Sequence, residues 1–236
     1  MLETRFPRIP GDIGNPETFS FPVLKRVVAG ASPRRVVVEA DRALVDPFIA
    51  AGRELVAEGA SLITTSCGFL ALFHRELAAA LPVPVLTSGL LQVSPVYRML
   101  QPGQRVGILT ANAVALTSAH LEAVGAGEVP VVIAGLEHTR EFAQVFLKNG
   151  ETLDIEAARG EVVQVAGKMV KDHPEIGALV LECTNLPPYS DDVRRETGLP
   201  VFDVVTLVNW VWTARIEGST DPQSVKRSTR AGMERP

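Results

Sequence analysis

The feature that most constrains this chain is an internal repeat centred on its two cysteines. Cys67 and Cys183 lie 116 residues apart, and each follows an apolar, β-prone run and precedes a helical pattern. The same offset places Pro84 on Pro200 without a gap. Because duplicated sequence usually means duplicated architecture, and the unit occurs only twice, we predict two similar halves.

The order of elements around the repeat predicts an α/β fold. Strand patterns alternate with helical patterns through most of the chain, which is typical of parallel sheets wound in βαβ units. We therefore predict two similar Rossmann-like or flavodoxin-like lobes with parallel sheets, related by a pseudo-twofold axis, with an active-site cleft between them. The first lobe is assigned to residues 1–101 plus 204–218, the second lobe to residues 102–203, and residues 219–236 to a mobile C-terminal tail.

Strand patterns occur four times in each half. In the first lobe they cover residues 4–10 (an edge strand), 35–39, 61–66 and 83–86, and in the second lobe residues 105–110, 129–134, 178–182 and 201–203. A short helix is predicted over residues 21–28. Asp154 is expected to cap a long helix, and a closing helix over residues 204–216 is expected to pack back on the first lobe.

Composition excludes several classes of function. The net charge of −4 and a pI near 5.6 argue against nucleic acid as a partner, because phosphate binding needs a basic surface. No apolar run approaches the ~20 residues of a membrane-spanning helix, and the first residues lack the apolar core of a signal peptide. We therefore expect a cytoplasmic protein with free thiols. Without CxxC or HExxH spacing, and with its four histidines scattered, the chain is not expected to bind a metal.

The candidate site residues fall at predicted strand ends. In parallel sheets the functional loops lie at the carboxyl ends of strands, so these loops are expected to converge on one cleft. Cys67 and Cys183 are the candidate catalytic residues. The candidate substrate-binding residues are Asp12, Ser66, Gly68, Phe69, Thr110, Asn112, Thr184 and Asn185.

Two thiols on opposite walls of a cleft suit proton transfer at carbon, since one thiolate removes a proton while the opposite thiol delivers another. Each cysteine precedes a predicted helix, whose N-terminus favours the thiolate and lowers its pKa. Backbone N–H groups at the same place can bind a carboxylate and stabilise the enolate that forms. A single free cysteine is usually a small buried hydrophobe, and the repeated placement is what favours catalysis here. Glu182 is expected to face solvent or a neighbouring loop.

At Cys67-Gly68-Phe69 and Cys183-Thr184-Asn185 the sequence resembles the aspartate/glutamate racemase superfamily. That group includes amino-acid and hydantoin racemases, maleate cis–trans isomerases and arylmalonate decarboxylases, and the likeness spans about residues 4–217. The resemblance implies two α/β lobes, no cofactor, and Cys67 and Cys183 as the acid/base pair. It also implies that Asp12 is the acidic residue of the first substrate loop and that residues 110–112 form the third.

The resemblance leaves the substrate open. Glutamate racemases have Asn-Thr where this chain has Gly68-Phe69, and Thr-His where it has Thr184-Asn185, which argues against glutamate. The decarboxylases keep one of the two cysteines, so retention of both argues against that branch. We expect a cofactor-independent racemase or epimerase of an amino acid or related carboxylic acid, working by two-cysteine proton transfer on a small carboxylate.

Two alternatives stay open beside the racemase. One is a maleate-type isomerase, in which a nucleophilic cysteine adds to an alkene. The other is a two-lobe binding protein without catalysis, which would tolerate Cys→Ser changes at both positions. The oligomeric state is open as well, with a homodimer as the common form for such proteins.

Overall fold

The computed structural model describes residues 1–214, whose strands form two parallel sheets. A two-stranded sheet pairs β1 (Ile63–Thr64) with β2 (Val85–Leu86). The remaining strands are β3 (Arg105–Thr110), β4 (Val131–Gly135), β5 (Ile176–Leu181) and β6 (Val201–Phe202). They form a four-stranded sheet in the order β4-β3-β5-β6. The chain therefore has the predicted α/β architecture of two lobes with parallel sheets.

Seven α-helices connect and cover these strands. They are α1 (Val45–Ala57), α2 (His74–Ala80), α3 (Val93–Tyr97), α4 (Ser118–Ala123), α5 (Ile155–Asp172), α6 (Ser190–Thr197) and α7 (Val204–Thr213). Short 3-10 turns span Arg42–Leu44, Gly68–Phe73, Gly89–Gln92 and Pro187–Tyr189, and π-helical turns span Arg34–Val38 and Ala143–Leu147. Each cysteine lies in the short connection between a strand and a 3-10 turn, Cys67 between β1 and Gly68–Phe73 and Cys183 between β5 and Pro187–Tyr189.

The second lobe forms as its sequence predicts. Apolar residues fill β3 and β5, the central strands, and Val106 pairs with Ala178 in register. The Asp154 carboxylate accepts a hydrogen bond from the Ala157 N–H at 3.0 Å and so caps α5 as expected. Helix α6 ends at Gly198, whose φ of 67° is a left-handed conformation that glycine adopts without strain. These local signals agree with one another, which fixes the strand ends that carry Cys183.

The first lobe departs from its prediction at residues 35–39. The expected strand is a π-helical turn, Arg34–Val38, in which two valines are buried and Val38 is exposed. The turn is held by Arg35, whose side chain donates to the Asp41 carboxylate and to the Gly30 carbonyl. A β-branched run is compatible with either structure, and these polar contacts favour the turn.

Two other predicted elements of the first lobe are wrong. No strand forms over residues 4–10, because the N-terminal segment pairs with residues 28–31 through only isolated backbone hydrogen bonds. Residues 21–28 are not helical, and three of their apolar side chains, Val23, Leu24 and Val27, are exposed. The first sheet consequently keeps two strands rather than four.

The closing helix α7 returns to the first lobe. Its buried residues Val204, Leu207 and Val208 form a small second core with Phe19 and with Leu86 of β2. The predicted end of this helix and the predicted tail over residues 219–236 lie outside the described residues. Between residues 1 and 214, no helix combines the length and the apolar character that crossing a membrane requires.

Candidate active site

Both cysteine loops line one small cavity where the two lobes meet. Cys67 and Cys183 are free thiols, and each is only 8% exposed. Most of the other lining residues are apolar. The full lining consists of Leu2, Phe6, Pro33, Val37, Ser66, Cys67, Gly68, Phe69, Ala111, Phe146, Leu147, Glu182, Cys183, Thr184 and Asn185. The repeat therefore brings its two equivalent cysteines into a single, largely apolar site.

Hydrogen bonds from neighbouring hydroxyls fix the first cysteine loop. The Thr65 hydroxyl donates to the Thr87 carbonyl at 2.7 Å and lies 2.9 Å from the Cys67 carbonyl. The Ser66 hydroxyl accepts from the Leu2 N–H at 2.8 Å, which ties the N-terminal segment over the cavity. The Thr65 donor is therefore occupied within the loop, whereas Ser66 acts here as an acceptor, and both contacts hold the loop in place.

Gly68 brings the two loops into direct contact. A Cβ atom at this position would lie 2.1 Å from the Glu182 carbonyl oxygen and 2.2 Å from Glu182 Oε1. No side chain can occupy that space without moving the backbone of the other lobe. The glycine is therefore required by close packing between the lobes, as well as by any need for access to the thiol.

A chain of polar contacts leads away from the second cysteine. Cys183 Sγ lies 3.6 Å from Asn185 Oδ1, to which it donates, and Asn185 Nδ2 donates to Asp12 Oδ2 at 2.6 Å. Arg8 Nη1 donates to Asp12 Oδ1 at 3.0 Å, so Asp12 is buried within an ion pair. The predicted first substrate loop is thereby linked to Cys183 through Asn185.

Glu182 lines the cavity although it was not among the candidate site residues. Of its two expected surroundings, solvent is wrong, because the side chain is fully buried in the cavity wall, and the neighbouring loop is right, because Glu182 packs against Gly68. Its Oε2 accepts from the Thr110 hydroxyl at 2.7 Å, while Oε1 has no hydrogen-bond partner in the described part of the chain. Burial raises the pKa of this carboxyl to about 7.

The thiol pKa values also differ from the prediction. Burial raises the pKa of Cys67 to about 12, and the Glu182 charge adds to that rise. Burial likewise raises the pKa of Cys183, with further contributions from Glu182, from Cys67 and from Asp12. Backbone N–H groups at the helix starts lower both pKa values, as predicted, but burial outweighs them. Arg8 lowers the pKa of Cys67, whereas the charges that act on Cys183, those of Glu182, Cys67 and Asp12, all raise its pKa.

The other predicted site residues divide into two groups. Ser66, Gly68, Phe69, Thr184 and Asn185 line the cavity, and the Thr184 hydroxyl is buried without a partner. The remaining three do not line the cavity. Two of them contact lining residues, and the third contacts the backbone of its own turn. Asp12 contacts Asn185, Thr110 contacts Glu182, and the Asn112 side chain accepts from the Ala115 N–H at 3.0 Å.

The described residues contain no group of three His, Cys, Asp or Glu side chains that could hold a metal ion. What the cavity offers is a pair of thiols, one carboxyl group, the hydroxyl groups of Ser66 and Thr184 and the Asn185 amide, in largely apolar surroundings. Such a set can remove and return protons at a carbon atom, provided that a bound substrate lowers the pKa of a thiol.

Comparison with known proteins places residues 30–211 on the family model described as Asp/Glu/hydantoin racemase. A dimethylsulfoniopropionate lyase of Durusdinium sp. clade D is 31% identical over 219 residues, covering 89% of this chain and 71% of that protein. A dimethylsulfoniopropionate lyase of Emiliania huxleyi is 31% identical over 218 residues, covering 88% of this chain and 63% of that protein. The chain thus spans only part of the length of these relatives.

Solved structures share the fold at low identity. A glycine-to-cysteine mutant of arylmalonate decarboxylase, in a sulfate-associated form, matches with a TM-score of 0.58 and 18% identity, over 86% of this chain and 87% of that one. Picrophilus torridus aspartate racemase matches with a TM-score of 0.51 and 18% identity, over 74% of this chain and 70% of that one. Both likenesses concern the two-lobe α/β fold.

Proposed function

This chain belongs to the Asp/Glu/hydantoin racemase family, and from that premise we propose that it is a lyase that cleaves dimethylsulfoniopropionate with a cysteine as the base. One observation carries the proposal. Two free thiols line a single apolar cavity, in a chain whose 31%-identical relatives are named dimethylsulfoniopropionate lyases. The racemase expected from the sequence shares the first chemical step, the removal of a proton next to a carboxylate.

The proposed step is a β-elimination. A cysteine thiolate removes a proton from Cα, the Cα–H electron pair forms the Cα=Cβ bond, and the Cβ–S bond breaks. Its electron pair leaves with dimethyl sulfide, and the other product is acrylate. Before the step, the thiolate carries a charge of −1 and the zwitterionic substrate has no net charge. After the step, the acrylate carries the charge of −1, and the cysteine is a neutral thiol that holds the Cα proton.

We assign the base to Cys67. Its pKa is raised by burial and by Glu182, but Arg8 offsets part of that rise. Cys183 has the charges of Glu182, Cys67 and Asp12 around it, all of which favour its neutral thiol form. The Cys67 proton passes to solvent as a cationic substrate enters, because a positive charge beside a thiol favours the thiolate.

Thr184 and the aromatic lining suit the two ends of this substrate. The Thr184 hydroxyl, buried and without a partner, is a donor for a carboxylate oxygen, and its hydrogen bond strengthens as negative charge develops there. Phe6 and Phe69 provide apolar surface for the methyl groups on sulfur. An apolar cavity also excludes water from the reacting carbon.

A second candidate function rests on the presence of both thiols. A β-elimination needs one base, whereas racemisation needs an acid and a base on opposite sides of the same carbon. Cys183 would serve as the acid in a racemase or epimerase of a small amino acid. In the lyase, Cys183 stays a thiol and shapes the cavity.

One experiment separates the two functions. The purified chain is incubated in heavy water with dimethylsulfoniopropionate and, separately, with a panel of enantiopure amino acids. We expect equal amounts of dimethyl sulfide and acrylate from the first, measured by gas chromatography and proton NMR. Deuterium exchange at Cα of an amino acid, without dimethyl sulfide release, would replace the lyase by the racemase. If neither dimethyl sulfide release nor deuterium exchange is observed, both functions are refuted.

A further inference from the structure

We propose that Glu182 recognises a positive charge on the substrate, so that this cavity selects dipolar molecules with a small onium group near a carboxylate. The inference rests on the proposed cysteine chemistry and adds the class of substrate. Glu182 comes from the second lobe, directly before Cys183, and lines the same cavity as both thiols. Neither the repeat nor the resemblance to racemases assigns a role to this residue.

One carboxylate oxygen of Glu182 has no hydrogen-bond partner among the described residues. Glu182 Oε2 is anchored by the Thr110 hydroxyl at 2.7 Å, which fixes the carboxyl group in the cavity wall. Oε1 is fully buried and has no partner within the described chain. A buried carboxylate oxygen without a partner is costly, and a positive charge that arrives with the substrate would offset that cost.

The described residues that line the cavity carry an acidic group and no basic one. Glu182 is the one Asp, Glu, Lys or Arg among the described residues that line the cavity. The nearest cation that influences the thiols, Arg8, is already paired with Asp12 at 3.0 Å. The wall therefore holds an acidic group without a matching base, which favours a cationic ligand and disfavours a dianion such as maleate.

Aromatic side chains line the same cavity as the Glu182 carboxyl group. Phe6, Phe69 and Phe146 all line the cavity, and the Phe6 ring already carries the Arg8 guanidinium 4.5 Å from its centroid. Aromatic rings and a carboxylate together bind small onium groups, whose methyl groups share the positive charge. A primary ammonium group would pair with Glu182 through N–H donors instead.

Cation binding at Glu182 also explains how a raised thiol pKa is compatible with catalysis. In the empty cavity, the Glu182 charge raises the pKa of both cysteines, so they rest as thiols. A substrate cation neutralises that charge and lowers the pKa of the nearby thiol. The base would therefore form only when the correct substrate is bound.

The test uses two ligands that differ by one atom, the zwitterion 3-(trimethylammonio)propionate and its isostere without the onium charge, the anion 4,4-dimethylpentanoate. Their affinities for the whole chain are measured by calorimetry, in the wild type, in Glu182→Gln and in Glu182→Asp. We expect the wild type to prefer the zwitterion by about tenfold, the free energy of one charge-assisted contact. Glu182→Gln should lose that preference without weakening the binding of 4,4-dimethylpentanoate, and Glu182→Asp should keep part of the preference.

An equal preference in the wild type and in Glu182→Gln would overturn the inference, as would a wild type that binds 4,4-dimethylpentanoate as tightly as the zwitterion. Thermal unfolding of each variant checks that it is folded. Because binding is measured without turnover, the result is independent of the reaction. If the wild type releases dimethyl sulfide but shows no preference between the two ligands, the role of Glu182 is rejected and the lyase is kept. If it shows the preference but eliminates nothing, the role of Glu182 is kept and the lyase is rejected.

Discussion

The two cysteine loops occupy equivalent places in the repeat, yet their neighbours differ at each position. Ser66 precedes the first cysteine and holds the N-terminal segment through Leu2, whereas Glu182 precedes the second and is a buried acid. Gly68 follows the first cysteine because the other lobe leaves no space for a side chain. Thr184, which follows the second, carries a free hydroxyl.

These differences make the two thiols unequal. Burial and the Glu182 charge raise the pKa of both thiols, but Arg8 lowers that of Cys67, whereas Cys67 and Asp12 raise that of Cys183 further. The repeat therefore brings both sulfur atoms to one cavity, and the proposed assignment of the base rests on the charged groups that differ between them. In the proposed reaction, a symmetric fold carries one proton acceptor and one neutral thiol.

The largest effect is expected at Cys67. Cys67→Ser replaces the thiol with a hydroxyl group that is far less acidic, so the proposed base is lost. We expect kcat for dimethyl sulfide release to fall by about 10²–10⁴-fold, the usual contribution of a general base. Steady-state kinetics of the purified variant check this. Activity within a factor of two of the wild type would show that Cys67 is not the base.

Glu182→Gln should alter stability in a pH-dependent way that no change at Ser66 would reproduce. The folded pKa of Glu182, about 7, lies above its ordinary value of 4.5, so ionisation destabilises the fold. The penalty is absent below about pH 4.5, grows up to about pH 7, and is roughly 3 kcal/mol at most. The glutamine variant should therefore be more stable than the wild type at pH 8 and equally stable at pH 4.

Urea unfolding at both pH values measures that difference. The other titratable groups around Glu182 are Cys67 and Cys183, with Asp12 and Arg8 beyond them. The wild type and Glu182→Gln both keep all four. Glu128→Gln, at an exposed glutamate, is the control and should change the free energy of unfolding by less than about 0.5 kcal/mol at either pH. Equal stabilisation at pH 4 and pH 8 would argue against a buried charge.

Gly68→Ala tests the contact between the loops. The added methyl group would meet a backbone oxygen at 2.1 Å, and a backbone atom cannot move aside cheaply. We expect the free energy of unfolding to fall by about 1–3 kcal/mol, as for other overpacked sites, together with the activity. Gly160→Ala is the matched control, because nothing lies within 4 Å of that position in α5. It should stabilise the protein by up to about 1 kcal/mol. Similar effects at both glycines would contradict the close packing.

The smallest of these effects is expected at Cys183. Because elimination needs a single base, Cys183→Ser should retain lyase activity, with a loss of about tenfold or less from the changed cavity wall. Comparison of kcat and KM with those of Cys67→Ser checks the asymmetry. Equal, severe losses in both variants would favour the two-base racemase instead.

Part of this account could be predicted from the sequence. The offset between Cys67 and Cys183 predicted that they would meet, because equivalent strand ends of two similar lobes face one cleft. The strands of the second lobe were also predicted, since apolar runs, turn residues and helix caps agree there. In the first lobe, residues 35–39 satisfied a strand pattern but fold as a turn held by Arg35 and Asp41.

Glu182 could not be placed by local pattern alone. A glutamate at a strand end normally faces water, and its burial results from the Cys67–Gly68 loop, which packs against it from the other lobe. A signal was nevertheless present, because the repeat aligns Glu182 with Ser66, directly before a candidate base. The rise in thiol pKa was missed for the same reason, since burial and a neighbouring charge arise only in the folded cavity.

The most direct test of the unequal thiols is their rate of alkylation in the protein without ligand. The two cysteine residues are equally exposed, at 8%, and their alkylation rates rise with the fraction of thiolate at each site. Iodoacetamide labelling at pH 8 and pH 9.5, followed by peptide mass spectrometry, measures each site separately. We predict that Cys67 is labelled faster than Cys183 at both pH values. Faster labelling of Cys183, or equal rates, would contradict the assignment of Cys67 as the base.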